Sequence, residues 1–149
     1  AEDAARAIAA YKAPAMRQQV IEANGLLIID DSYNASPDSM RSAIDVLSTR
    51  QVPGRKAAVL ADMLELGDFA HQGHREVGEY ARSHGVELLV SVGPLSKEIA
   101  AGYGEGAVWF ETNQQAIEYL KGTLRPGDAL LVKGSRGMAT DQIVAALKE

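Results

Sequence analysis

The sequence predicts a three-layer α/β domain: a mostly parallel sheet of about six strands, one antiparallel strand from an N-terminal hairpin, and helices on both faces. Three observations carry this. Short apolar runs of strand length recur along the chain, and most are followed by a segment with helical spacing. Turn signals separate them, at Asn24-Gly25, Pro53-Gly54 and Pro126-Gly127-Asp128. The length, 149 residues, is that of one domain and suffices to bury roughly 70% of the unfolded surface.

The elements follow in order. Glu2 to Tyr11 is alanine-rich and helical by propensity, and Pro14 interrupts it, so residues 1–16 read as a linker or the end of a preceding domain. The domain proper is expected over 17–149. Gln18–Glu22 and Leu26–Asp31 read as strands joined by Asn24-Gly25, the favoured two-residue hairpin turn. Pro37–Arg50 is a helix that Ser36 can cap, with Met40, Ile44 and Leu47 at helical spacing. A strand at Ala57–Ala61 precedes a loop and a helix over His74–His84, which Gly85 stops. Then come a strand at Leu88–Val92, a helix at Pro94–Ala101, a strand at Ala107–Phe110 and a helix at Gln114–Leu124. Ala129–Lys133 is the last strand and Thr140–Lys148 the last helix. The alternation is Rossmann-like, and in such sheets ligands bind beyond the carboxyl ends of the strands.

Composition narrows the function. A net charge of -5 argues against a general nucleic-acid binder, which needs basic patches to neutralise phosphates. Without cysteine there is no disulfide framework, thiolate metal site or cysteine nucleophile, which suits a cytoplasmic protein. The longest apolar runs, such as Gly25–Ile29 and Leu88–Val92, are too short to span a bilayer, and no secretory leader is expected. The first residue, Ala1, falls within a helical pattern, so a fragment of something longer is expected.

Three loops leave strand ends with unusual chemistry. In Asp30-Asp31-Ser32-Tyr33-Asn34-Ala35-Ser36-Pro37, strand alternation sends the two carboxylates to opposite sides, so one at most faces a given ligand. A carboxylate there suits a ribose diol, and Tyr33 and Asn34 suit a base; an Asx-turn leading into a capped helix is the alternative. In Asp62-Met63-Leu64-Glu65-Leu66-Gly67-Asp68, followed by His71 and His74, no H-E-x-x-H motif occurs, and no metal site is expected. A solvated helix start, with Met63, Leu64 and Leu66 packing the loop, is the favoured reading. In Lys133-Gly134-Ser135-Arg136-Gly137, glycines allow close backbone approach, while Lys133 and Arg136 match a phosphate or carboxylate. A glycine turn with two solvated cations is the alternative. A Walker loop is absent.

Taken in this order, the loops resemble the signatures of the Mur ligases, and within them those of the branch that adds D-alanyl-D-alanine. The resemblance rests on Asp30 to Ala35 with Pro37-Asp38-Ser39-Met40, on Asp62 to Gly67 with His74 and Gly78, and on Lys133 to Met138. Met16, Ser36 and Ala61 stand where the family commonly carries glycine, asparagine and glycine, and Ala139-Thr140-Asp141 is also atypical. The resemblance implies the C-terminal domain of a three-domain, ATP-dependent, peptide-bond-forming enzyme of peptidoglycan synthesis. The missing N-terminal and central domains would hold the UDP-sugar, the phosphate loop and Mg2+. The substrates implied are ATP, UDP-N-acetylmuramoyl-tripeptide and D-alanyl-D-alanine. Arg17, Asp31, Tyr33 and Asn34 would then face the nucleotide, and Lys133, Ser135 and Arg136 the incoming dipeptide or phosphates, with Lys133 and Arg136 as candidate charge stabilisers. Sister ligases adding a single amino acid, folylpolyglutamate synthetase among them, and a non-catalytic nucleotide-binding module are the rival readings.

Overall fold

A computed structural model describes residues 18–149. The expected linker over 1–16 and Arg17 lie outside the described residues. A single six-stranded sheet runs in the order β1-β2-β6-β3-β4-β5, formed by β1 (Gln19–Ala23), β2 (Leu26–Asp31), β3 (Lys56–Ala61), β4 (Leu88–Val92), β5 (Val108–Phe110) and β6 (Ala129–Lys133). β1 pairs antiparallel with β2, and every other neighbour is parallel. The hairpin works because Asn24 and Gly25 both take positive φ, +54° and +80°, as a tight turn matched to strand twist requires. The Asn24 side chain also donates to the carbonyls of Leu147 and Glu149 at 2.8 and 2.9 Å, pinning the turn to the last helix.

Among the described residues five helices cover the sheet: α1 (Pro37–Thr49), α2 (Ala70–Ser83), α3 (Lys97–Tyr103), α4 (Asn113–Thr123) and α5 (Asp141–Lys148). Strand alternation sorts the core into two layers. Ile29, Ala58, Leu60, Leu89 and Leu131 face Met40, Ile44 and Leu47 of α1, Val77 and Ala81 of α2 and Ile99 of α3. Ile28, Val59, Val90, Leu130 and Val132 face Ala116, Ile117 and Leu120 of α4 and Ile143, Val144 and Leu147 of α5. Buried on both sides, β6 carries no exposed residue, which is why it reads as a continuous apolar run.

Most element ends agree with the sequence reading to within a residue, but two helix starts move further. α2 begins at Ala70, a turn before His74, because it continues directly from a 3-10 turn at Gly67–Phe69 with no capping side chain to mark the entry. α3 begins at Lys97, not Pro94, because residues 93–96 form a turn held by Asp62, whose carboxylate accepts the backbone N–H groups of Leu95 and Ser96. By contrast α1 starts where expected, on a reciprocal cap between Ser36 and Ser39 with Pro37 in its first turn.

α2 and α3 pack backbone to backbone. A Cβ built at Gly78 would lie 2.0 Å from the carbonyl oxygen of Ile99, and one at Gly102 would lie 2.1 Å from that of Arg75. At the amino ends of the strands, Asp128 ties the turn before β6 to β3. It accepts from the Arg55 backbone N–H at 2.8 Å, the Arg55 guanidinium at 2.9 Å and the Arg125 N–H at 2.9 Å. Burial pushes this carboxyl up, but these donors outweigh it and hold it below its ordinary value.

Candidate active site at the strand carboxyl ends

β2, β6 and β3 are neighbours, so the loops that follow them open at one edge of the sheet. Asp31 and Lys133 are register partners at the ends of β2 and β6. Their side chains meet at 3.0 Å with only 7% and 4% of their surface exposed, a buried ion pair. The Lys133 ammonium also donates to the Asn34 carbonyl at 2.9 Å, so it fixes the first loop as well as its own partner. Asp30 is buried too, and its carboxylate accepts from the Ser32 backbone and hydroxyl at 3.3 and 2.7 Å. The two adjacent carboxylates therefore bind different partners, as the alternation along β2 leads one to expect.

The third loop is braced against the second. Ser135 donates its N–H to the Asp62 carbonyl at 3.0 Å, and its hydroxyl accepts the Leu64 N–H at 2.7 Å. Gly134 is required for the approach, since a Cβ there would lie 2.7 Å from the Ala61 Cβ. Beyond this brace a 3-10 turn, Arg136–Met138, presents Arg136 at the surface. Its guanidinium stacks over the ring of half-buried Tyr33, 5.4 Å from the centroid, linking the third loop to the first. Asn34 is exposed. Asp31, Tyr33, Asn34, Lys133, Ser135 and Arg136 thus share one region.

The second loop is solvated over Leu64, Glu65, Gly67 and Asp68 and leads into a helix, as read from the sequence, but Asp62 and His74 at its two ends are buried. His74 is fully buried and bonded at both ring nitrogens, to the Met63 N–H at 2.9 Å and the Ala70 carbonyl at 2.6 Å. An N–H faces Nε2 and a carbonyl faces Nδ1, so the proton sits on Nδ1. Met63 is buried in the core as loop packing, whereas Leu64 is exposed. His71 lies on the surface, 3.2 Å from Glu98, so the two histidines serve different neighbours. Among the described residues no group of three or more His, Asp or Glu side chains is placed to hold a metal ion.

The sequence reading named Asp62 and His74 only as parts of the second motif, without their buried bracing roles, and passed over Asn113 at the start of α4. Polar residues are normal in loops and near helix starts, so nothing local marks these bracing roles. A groove of about 750 Å³ lies at the opposite edge of the sheet, bordered by Asn24, Arg50, Pro53 and Asp128. The converging loops and the buried ion pair lie instead at the carboxyl ends, where open α/β sheets bind ligands.

The family model described as "Mur ligase, glutamate ligase domain" matches residues 16–136, which takes in the first two loops and the start of the third. The chain belongs to the Mur ligase family. A UDP-N-acetylmuramoyl-tripeptide–D-alanyl-D-alanine ligase of Bacillus subtilis is 36% identical over 99% of this chain and 34% of its own length. That of Escherichia coli is 38% identical over 85% of this chain and 28% of its own. Among solved structures, a MurF of Acinetobacter baumannii superposes with a TM-score of 0.85 at 26% identity, covering 99% of this chain and 33% of that one. The MurF ligase of Thermotoga maritima in complex with ADP gives 0.80 at 27% identity, covering 94% and 32%. A bifunctional folylpolyglutamate synthase/dihydrofolate synthase of Yersinia pestis, 22% identical with a TM-score of 0.62 over 89% of this chain and 31% of that one, shares the fold. This Mur ligase chain spans about a third of the length of the curated relatives it matches.

Proposed function

We propose that this chain is the C-terminal domain of an ATP-dependent ligase that joins D-alanyl-D-alanine to UDP-N-acetylmuramoyl-tripeptide during peptidoglycan precursor synthesis in the cytoplasm. One observation carries the reading: the three family-like loops, separated in sequence, open together at the ends of β2, β6 and β3. The names of its relatives support the choice of branch.

In this reading Asp31 accepts hydrogen bonds from the ribose hydroxyls, held in place by Lys133, while Tyr33, Asn34 and Arg17 complete the nucleotide side. Lys133 and Ser135 fix the substrate-facing loop. Arg136, exposed and forked, grips the dipeptide carboxylate or the departing phosphate. The tripeptide carboxylate attacks the γ-phosphorus of ATP, releasing ADP and leaving an acyl phosphate. The amine of D-alanyl-D-alanine then attacks the acyl carbon, phosphate leaves, and a peptide bond forms. A domain that closes over this site keeps water from the acyl phosphate. Mg2+ would be held by the rest of the enzyme, since the described residues offer no carboxylate cluster for it.

The test is phosphate release by the full-length enzyme with ATP, the UDP-muramoyl-tripeptide and one acceptor at a time. Turnover is expected with D-alanyl-D-alanine; turnover with a single amino acid in place of the dipeptide would assign the chain to a sister ligase. Arg136→Lys, which loses the bidentate fork, is expected to raise KM for the dipeptide about tenfold and KM for ATP much less.

A further inference from the structure

We infer that Asn113, in the first turn of α4, is a positioning residue that clamps the acceptor loop and thereby aims Arg136. This rests on the role proposed above for that loop. The Arg136–Met138 turn is tied at its amino end by Ser135, through Asp62 and Leu64. At its carboxyl end the Asn113 side-chain amide donates to the carbonyls of Met138 at 2.8 Å and Ala139 at 3.2 Å. Among the described residues, Asn113 supplies the side-chain donor for both carbonyls.

The clamp acts where the backbone needs it. Ala139 sits at φ +54° and ψ +41°, a left-handed conformation that a residue with a Cβ rarely adopts without support. That conformation turns the chain from Arg136–Met138 into α5, and Asn113 holds the carbonyls on both sides of the bend. Gln142, in the first turn of α5, brings its amide oxygen to 3.4 Å from the same nitrogen.

Asn113 is not consumed by its own helix. α4 is capped by Thr112 and Gln115, which satisfy each other's backbone N–H groups in a reciprocal box. The Asn113 amide oxygen is buried with no hydrogen-bond partner. Two carbonyls demand the NH2 group, and the oxygen is left without a hydrogen-bond partner, a cost that marks the residue as placed for its donors. An aspartate would keep the shape and suit a helix start, but would turn an acceptor toward two acceptors.

The experiment compares Asn113→Ala, Asn113→Asp and Arg136→Lys in the full-length enzyme, with Ala116→Gly as a destabilising control in the same helix. Both Asn113 variants lose the two donated hydrogen bonds and are expected to raise KM for D-alanyl-D-alanine about three- to tenfold, as much as one neutral hydrogen bond since the effect reaches Arg136 indirectly, with KM for ATP nearly unchanged. Combined with Arg136→Lys, either should add less than its separate effect, because both act on one guanidinium. Ala116→Gly should lower Tm without moving KM for the dipeptide. Unchanged dipeptide KM in both Asn113 variants, with Arg136→Lys raising it, overturns the clamp and leaves the loop's role standing. Unchanged dipeptide KM in Arg136→Lys itself removes the proposed loop role, and the clamp falls with it.

Discussion

The sharpest stability prediction concerns the backbone contact between α2 and α3. In Gly78→Ala the new methyl would sit 2.0 Å from the Ile99 carbonyl oxygen, 2.8 Å from the Tyr103 nitrogen and 2.9 Å from the Ile99 carbonyl carbon. Ordinary contact begins near 3.4 Å, so α3 must retreat by about 1.4 Å. The obstacle is backbone, and no rotamer change can clear it. Overpacking of this kind costs about 1–3 kcal/mol, and a clash with main chain belongs at the upper end. Alanine returns about 1 kcal/mol through its better helix propensity, leaving a net loss of about 2 kcal/mol. For a domain of this size that lowers Tm by about 4–8 °C. Gly122→Ala supplies the opposite case. It too lies in a helix, but nothing stands within 4 Å of the position its new methyl would take, so it should stabilise by up to about 1 kcal/mol. Urea and thermal unfolding of the three proteins decide the matter. Gly78→Ala within about 0.5 kcal/mol of the parent, or a loss at Gly122 as large as that at Gly78, would refute the reasoning.

Two further predictions follow from buried charge. Asp31→Ala removes the counter-charge of the buried Lys133 ammonium and should cost about 3 kcal/mol by urea unfolding, whereas Asp31→Leu with Lys133→Met should recover much of it; equal losses would mean the pair is not coupled. Asp128 is held below the ordinary carboxyl value of 3.8, so between its folded and unfolded values the unfolded chain binds more protons and stability rises with pH. Its contribution is complete above that ordinary value and lost as pH falls through the folded one. The urea midpoint of Asp128→Asn should therefore fall less steeply than the parent's as pH drops below about 4.

The fold was legible wherever burial imposed a period. β3, β4 and β6 are apolar runs because helices cover both of their faces, and Met40, Ile44 and Leu47 recur because one side of α1 meets the sheet. Alternation also separated Asp30 from Asp31 correctly. The loops of the candidate site were legible in their glycines but not in their bracing: Lys133, read as a cation for a ligand, is buried against Asp31. Nothing local distinguishes Asp62, which caps a turn that follows another strand, from an ordinary loop carboxylate. His74 looked solvent-facing because the start of α2 carries no cap, so its true place inside the helix could not be phased. Asn113 touches residues some 25 positions away, and its role exists only once α4 and α5 lie side by side.

The strand order bears on how the domain comes into being. β2 and β3 make no ladder with each other; β6, drawn from the last stretch of sequence, slots between them. Until Ala129–Lys133 arrives the sheet is two separate pieces, each with an unsatisfied inner edge of N–H and C=O groups. Such long-range closure makes for slow folding with exposed edges in the interim, the kind of interval in which chaperones act. The same insertion delivers Lys133 to Asp31 and swings the Arg136 turn into place. A half-finished sheet therefore cannot carry a half-finished site: keystone and working surface are set by one strand.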